Sequence, residues 1–195
     1  MQPERLLLVR HGETDWNRDR RIQGHSDVPL NDTGRRQAIA LAKRLEGWHI
    51  DALHASDLRR AAETAAILGA ATGHEPRLSA HWREISFGTH EGRSDPTSFT
   101  EMVRNARETG GEDFATVRAR LHAGYRLLCE QHAGRHVLLV GHGGTLRALI
   151  AHLIGLPPEN IENLSLRGNA CLSIVEFASG RPKLTLLNDT SHCPQ

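Results

Sequence analysis

At 195 residues the chain is long enough for one domain with a sizeable core and short for two. Lys and Arg total 24 against 23 Asp and Glu, a formal net charge of +1, and aromatics make up 4%, so neither a strong field nor base-stacking platforms point to nucleic acid or an acidic membrane. Three irregularly spaced cysteines suit a reducing compartment, and no apolar run has the length of a secretion signal or a membrane span, so a soluble, cytoplasmic protein is expected.

Near the N-terminus, Leu6-Leu7-Leu8-Val9 ends abruptly in Arg10-His11-Gly12-Glu13-Thr14. This reads as a buried strand that delivers Arg10 and His11 to the carboxyl edge of a sheet, where open α/β sheets bind ligands. An imidazole beside a guanidinium suggests chemistry on an anion, because the planar fork of Arg matches phosphate or carboxylate oxygens while His supplies a nucleophile. Arg18, Arg20 and Arg21 read as a solvated face, with a positive rim to an anion site as the alternative, and Gln23 to Leu30 as a turn-rich loop. Asn31-Asp32-Thr33 supplies cap residues for a helix whose Ala38, Leu41, Ala42 and Leu45 recur at helical spacing.

Ile50 to Ala55 is expected as a second strand, after which Ser56-Asp57-Leu58-Arg59-Arg60 opens a helix carrying Ala61, Ala65 and Leu68. An arginine pair at such a junction sits where free amides and the helix dipole favour anions. Leu78 to Ile85 is read as a connection that brings Glu84 forward, followed by a tightly turned loop, Phe87-Gly88-Thr89-His90-Glu91-Gly92. From Arg93 to Gly111 the chain is polar, with a breaker at Asp95-Pro96 and a short helix around Phe99 to Arg104, a segment suited to capping a site.

After Gly110-Gly111-Glu112, Phe114, Val117, Leu121, Tyr125 and Leu128 mark one face of a long helix that Gly134-Arg135 ends. His136 to Val140 is a strongly apolar strand, and Gly141-His142-Gly143-Gly144-Thr145 leads into a helix with Leu146, Leu149, Ile150 and Leu153. The first pattern thus recurs as buried strand, polar turn with His, and helix. Leu156-Pro157-Pro158 stops that helix, and Leu172 to Phe177 with Lys183 to Leu187 reads as a hairpin through Ala178-Ser179-Gly180.

Arg10-His11-Gly12-Glu13-Thr14 with Asp15-Trp16-Asn17 closely resembles the signature of the histidine phosphatase superfamily, the phosphoglycerate-mutase-like proteins. The resemblance runs in family order along nearly the whole chain. Ser56, Arg60, Ala61 and Thr64 match a Ser-x-x-x-Arg-Ala-x-x-Thr segment, which selects Arg60 over Arg59 as the second phosphate-binding arginine. Glu84, ahead of its Phe-Gly-x-x-Glu-Gly string, resembles the family's acid/base glutamate, and the Gly-Gly-Glu and Gly-His-Gly-Gly turns follow. The resemblance implies a three-layer α/β/α fold with a mostly parallel central sheet, as one domain over 1–195 with a small cap at about 93–111. It further implies His11, Glu84 and His142 as catalytic, Arg10, Arg60, Asn17 and the Gly143 amide as phosphate ligands, and Gln23 and Gly24 on the substrate side.

The chemistry expected of this set is in-line attack on phosphorus by a His11 ring nitrogen, with Glu84 donating to the departing oxygen and later activating water. Arg10, Arg60 and a protonated His142 would neutralise the phosphoryl oxygens, so neither metal nor cofactor is required. His132 and His136 have a zinc-like spacing, but Gly134 separates them, and solvated loop histidines are the simpler account. Cys129 and Arg135 have the spacing of cysteine phosphatases in the wrong structural order, and the turn at Gly141 lacks the third glycine of a dinucleotide fingerprint.

Mutases of the family carry a longer insertion ahead of the Gly-Gly-Glu turn than this chain has, which favours a phosphatase acting on small-molecule phosphomonoesters. Broad-specificity phosphomonoesterases and α-ribazole phosphatases are nearest in appearance. Phosphoglycerate mutase and a catalytically inactive binding module are the alternatives. A homodimer is compatible with the sequence, which leaves open the physiological substrate and whether the tail at Asn188 to His192 returns to the site.

Overall fold

A six-stranded sheet in the order β3-β2-β4-β1-β5-β6 divides the molecule. The structure, a computed structural model, describes residues 2–94, 99–177 and 181–193. β1 (Arg5–Arg10), β2 (Ala52–Ala55), β3 (Arg77–Leu78) and β4 (His136–Gly141) run parallel, while β5 (Leu172–Glu176) pairs antiparallel with β1 and with β6 (Lys183–Asp189). The turn expected at Ala178-Ser179-Gly180 and the breaker at Asp95-Pro96 lie outside the described residues.

The central strands are apolar without interruption because both their faces are covered. Leu6 and Leu8 of β1 join Val137 and Leu139 of β4 in a cluster with α6 (Phe114–Gln131) and α7 (Gly143–Ile154). Leu7 and Val9 join Leu138 and Val140 in the opposite cluster, against α2 (Asp32–Arg44) and α3 (Arg59–Thr72). Three layers result, as the sequence implied. Asn31 caps α2 through Oδ1, which accepts from Gly34 N at 2.8 Å.

Shorter helices complete the chain. α1 (Asp15–Arg18) is a single turn closed by a reciprocal box between Thr14 and Asn17. α4 (Phe99–Arg104) occurs where a short helix was expected and is followed by α5 (Ala106–Thr109), with Val103 and Ala106 buried.

Two expectations need correction. Phe114 is 43% exposed, because it is the first residue of α6 and lines a surface cavity with Pro157 and Ile161 instead of entering the core. His132 is not solvated, since it ends α6 with its Nε2 2.9 Å from His54 Nε2 and both rings are buried. His136 instead begins β4, with its ring beside that of His49. Cys129 lies on α6, where burial pushes its thiol pKa up, and Arg135 pairs with Asp51. No helix among the described residues is long and apolar enough to cross a membrane.

Candidate active site

β1 and β4 end in register, Arg10 opposite Gly141, and His11 N donates to Gly141 O at 3.0 Å. Each strand is followed by one histidine, so His11 and His142 emerge side by side. The loop after His11 packs directly on the first turn of α2, where a Cβ on Gly12 would overlap the Gly34 carbonyl. Gly12 N donates to Thr64 Oγ1, whose hydroxyl donates to Arg60 O, tying the loop to α3.

The Nδ1 of His11 lies 2.7 Å from the carbonyl oxygen of its neighbour Gly12. A carbonyl only accepts, so this geometry assigns the proton to Nδ1 and leaves the Nε2 lone pair free. Both ring nitrogens of His142 are buried without a hydrogen-bond partner among the described residues. Burial first, then the Arg60 charge, lowers the pKa of both imidazoles well below the ordinary histidine value. The sequence reading assigns a proton to His142 only with a phosphoryl group bound, a state that differs from the unliganded site. In the unliganded site two nearby guanidiniums make a third positive charge unfavourable, and His142 is neutral.

Arg60 is 0% exposed. Its Nη1 donates to Ser26 O at 2.8 Å and its Nη2 to Gly24 O at 2.7 Å. Gly24 adopts φ +52, a left-handed conformation that glycine enters without strain. Arg10 Nη1 donates to the Leu166 and Arg167 carbonyls at 3.2 and 2.6 Å. The Nε of each arginine is buried with no partner among the described residues. Burial brings Arg60 down to about 10, with Glu84 and Asp27 opposing, and also lowers Arg10. Arg59, by contrast, is exposed, and its amide donates to Asp27 Oδ1.

Glu84 is seated on the N-terminus of α7. Its Oε2 accepts from Gly144 N, and its Oε1 from Thr145 N and Ile85 N, each at 3.0 Å. His142 offers no side-chain cap there, so the carboxylate meets helix amides that would otherwise lack partners. Gly143, the first residue of that helix, lies against Arg10, whose Nε is 3.5 Å from where a Cβ would stand.

The remaining expected residues lie on neighbouring segments. Asn17 Oδ1 accepts from Thr14 N, Thr14 Oγ1 and Asn169 Nδ2, so its Nδ2 is left to donate elsewhere. Gln23 is 8% exposed, with Oε1 buried and unpartnered among the described residues. The segment proposed as a cap is anchored beside them, since Ile22 N donates to Arg93 O and Glu112 N to Ser86 O. The tail docks on the segment that pairs with the His11 backbone. His192 Nε2 meets Ala170 O, and Ala170 N donates to His11 O.

Sequence reasoning missed two supports. Glu91 accepts from His25 N, Ser26 N, Ser26 Oγ and Phe87 N, and so holds the loop whose carbonyls grip Arg60. Its place in the Phe-Gly-x-x-Glu-Gly string was the available signal. Asn169 donates to both His11 O and Asn17 Oδ1, and nothing local in the sequence marked it. Taken together, two guanidiniums, two imidazoles and a carboxylate lie close enough to interact, an arrangement suited to a doubly charged anion.

The family model for the histidine phosphatase superfamily (branch 1) matches residues 6–190. A curated relative from Yersinia enterocolitica, named "Probable phosphoglycerate mutase GpmB", is 37% identical over 182 residues, covering 88% of this chain and 84% of the relative. A mycobacterial glucosyl-3-phosphoglycerate phosphatase complexed with VO3 superimposes with a TM-score of 0.81 at 34% identity, covering 95% of this chain and 98% of that one. A phosphoserine phosphatase mutant from Entamoeba histolytica, in complex with phosphoserine, gives 0.83 at 29% identity, covering 97% and 99%.

Proposed function

Because the chain belongs to the histidine phosphatase superfamily, we propose that it is a phosphatase that hydrolyses small-molecule phosphomonoesters through a phosphohistidine on His11. The observation that carries this reading is the convergence of two buried guanidiniums, each with an Nε unpartnered among the described residues, on a histidine whose Nδ1 proton is directed at the Gly12 carbonyl and away from its Nε2. Buried donors of this kind are costly unless an anion meets them.

A phosphoryl dianion between Arg10 and Arg60 takes hydrogen bonds from their Nε–H groups, the Gly143 amide and Asn17 Nδ2. Its charge offsets that of the arginines, so His142 gains a proton as the anion arrives and becomes a further donor. His11 Nε2 then attacks phosphorus in line. The ester P–O bond breaks, its electron pair stays on the leaving oxygen, and protonated Glu84 supplies the proton. In the second half, ionised Glu84 takes a proton from water as the water oxygen bonds to phosphorus. The P–N pair returns to Nε2, and inorganic phosphate leaves.

The arginines supply the positive charge that a metal provides elsewhere, so the reaction is proposed as metal- and cofactor-independent. The substrate is the one partner this chemistry requires, and the free Cys129, Cys171 and Cys193 suit a reducing, cytoplasmic setting. Gln23 and Gly24 border the leaving group, and the cap expected over 93–111, of which 95–98 lie outside the described residues, is proposed to cover it. Its shortness favours water as the acceptor over a retained phosphoryl group. The relatives' name favours one second reading, phosphoglycerate mutase.

The test is phosphate release from p-nitrophenyl phosphate and phosphoglycerates in chelator. Rapid-quench trapping is expected to find an acid-labile adduct on His11, with turnover lost in His11→Ala. Net isomerisation of phosphoglycerate exceeding hydrolysis would select the mutase reading instead.

A further inference from the structure

Residues 83–87, which include Glu84, belong to no helix or strand, so no backbone ladder fixes their position. Single backbone bonds tie the flanks, Arg83 N to Ala80 O and Glu112 N to Ser86 O, and side chains hold the carbonyls between them. Arg120, on α6, extends beneath this segment. Its Nη1 donates to the carbonyls of His81 and Arg83 at 3.0 and 2.9 Å, and its Nη2 to Glu84 O at 3.2 Å. Its Nε and Nη2 also form a fork on Glu112, at 2.9 and 2.7 Å. All five N–H groups of the guanidinium are thereby used.

Glu112 carries the clamp to the other side of Glu84, because its Oε2 accepts from Ser86 N at 3.0 Å. His25 Nε2 donates to the same Glu84 carbonyl at 2.8 Å. The Arg120 and Glu112 side chains are 16% and 14% exposed, so the fork is held away from most solvent screening. Buried ion pairs add little net stability over apolar replacements, whereas a planar fork spanning several carbonyls fixes geometry.

We infer that Arg120, with Glu112, is a positioning residue that aims the Glu84 carboxyl at the leaving oxygen. This inference rests on the phosphatase reading and adds to it a dependence on the leaving group. A proton from Glu84 matters for an alkoxide and hardly at all for p-nitrophenolate. Misaiming Glu84 therefore slows phosphorylation of His11 by an alkyl phosphate selectively.

The experiment is rapid-quench measurement of phosphohistidine formation from a simple alkyl phosphate and from p-nitrophenyl phosphate, in wild type, Arg120→Met, Glu84→Gln and the double variant. Arg120→Met is expected to slow the alkyl phosphate by ~10–100-fold and p-nitrophenyl phosphate by less than ~3-fold, with no further loss when added to Glu84→Gln. Equal losses on both substrates, or an additive loss in the double variant, would overturn the inference while leaving the phosphatase reading intact. Absence of phosphohistidine from either substrate in wild type would overturn both. Should Arg120→Met not fold, Arg120→Lys keeps the charge and loses the fork. The same substrate selectivity, in milder form, is then expected, and equal losses overturn the inference.

Discussion

The rings of His11 and His142 lie with centroids 5.2 Å apart and planes tilted by 59°. Both are uncharged in the free protein, since burial and Arg60 lower their pKa values. An arriving dianion reverses that electrostatic balance. Binding of inorganic phosphate near pH ~8 should therefore be accompanied by uptake of about one proton by the protein. Calorimetry in buffers of different ionisation enthalpy reads this directly. His142→Gln should bind more weakly without the uptake, and an unchanged uptake would place the proton elsewhere.

Arg60 serves both structure and ligand. Truncation to Ala strands the Gly24 and Ser26 carbonyls as well as removing a cation. Arg60→Ala should lose about 1–3 kcal/mol in stability and about 10²–10³ in kcat/KM. Arg60→Lys should retain much of the stability but not the activity, because one ammonium cannot span two carbonyls and an anion. Denaturant unfolding alongside steady-state kinetics separates the two effects.

The contact between Gly12 and Gly34 leaves no room for a methyl group. Gly34→Ala would drive its Cβ into the Glu13 backbone and should cost about 1–3 kcal/mol, seen as a lower urea midpoint with an unchanged slope. Activity should fall more than stability implies, as α2 pushes the His11 loop aside. An alanine variant as stable and active as wild type would refute the close packing.

The His54–His132 pair predicts acid sensitivity. Burial, then the neighbouring His132, lowers His54 from 6.5 to about 4, and burial also lowers His132. Depressed pKa values mean that the unfolded chain takes up protons first as pH drops, so stability is full above about 6.5 and is lost from there toward 4. Urea unfolding across this range should show a shallower decline in His54→Gln than in wild type, and equal slopes would contradict the assignment.

The sheet's centre was legible in the sequence because a parallel strand covered on both faces must be apolar throughout, as Leu6 to Val9 and Val137 to Val140 are. The cap at Asn31 and the helix at Phe99 to Arg104 were legible as local signals. Arg60 was singled out over Arg59 by its place in a resembling segment, and in the fold Arg60 is buried while Arg59 is exposed. The charge state of His142 was not legible, because it depends on how near Arg60 comes once the chain is folded. Nor were the seating of Glu84 on α7, the His54–His132 contact, or Asn169, each of which joins distant residues. β3, two exposed residues at the sheet's edge, has too little pattern to register.

The strand that leads into His11 precedes the other five in the chain yet lies at the middle of the sheet, between β4 and β5. The carbonyls that hold Arg10 are 156 and 157 positions further along. A ribosome must therefore deliver most of the chain before Arg10 can be held in place, and contacts of such long sequence separation slow folding. Prematurely terminated products would carry His11 and Arg10 without the carbonyls that fix the Arg10 guanidinium.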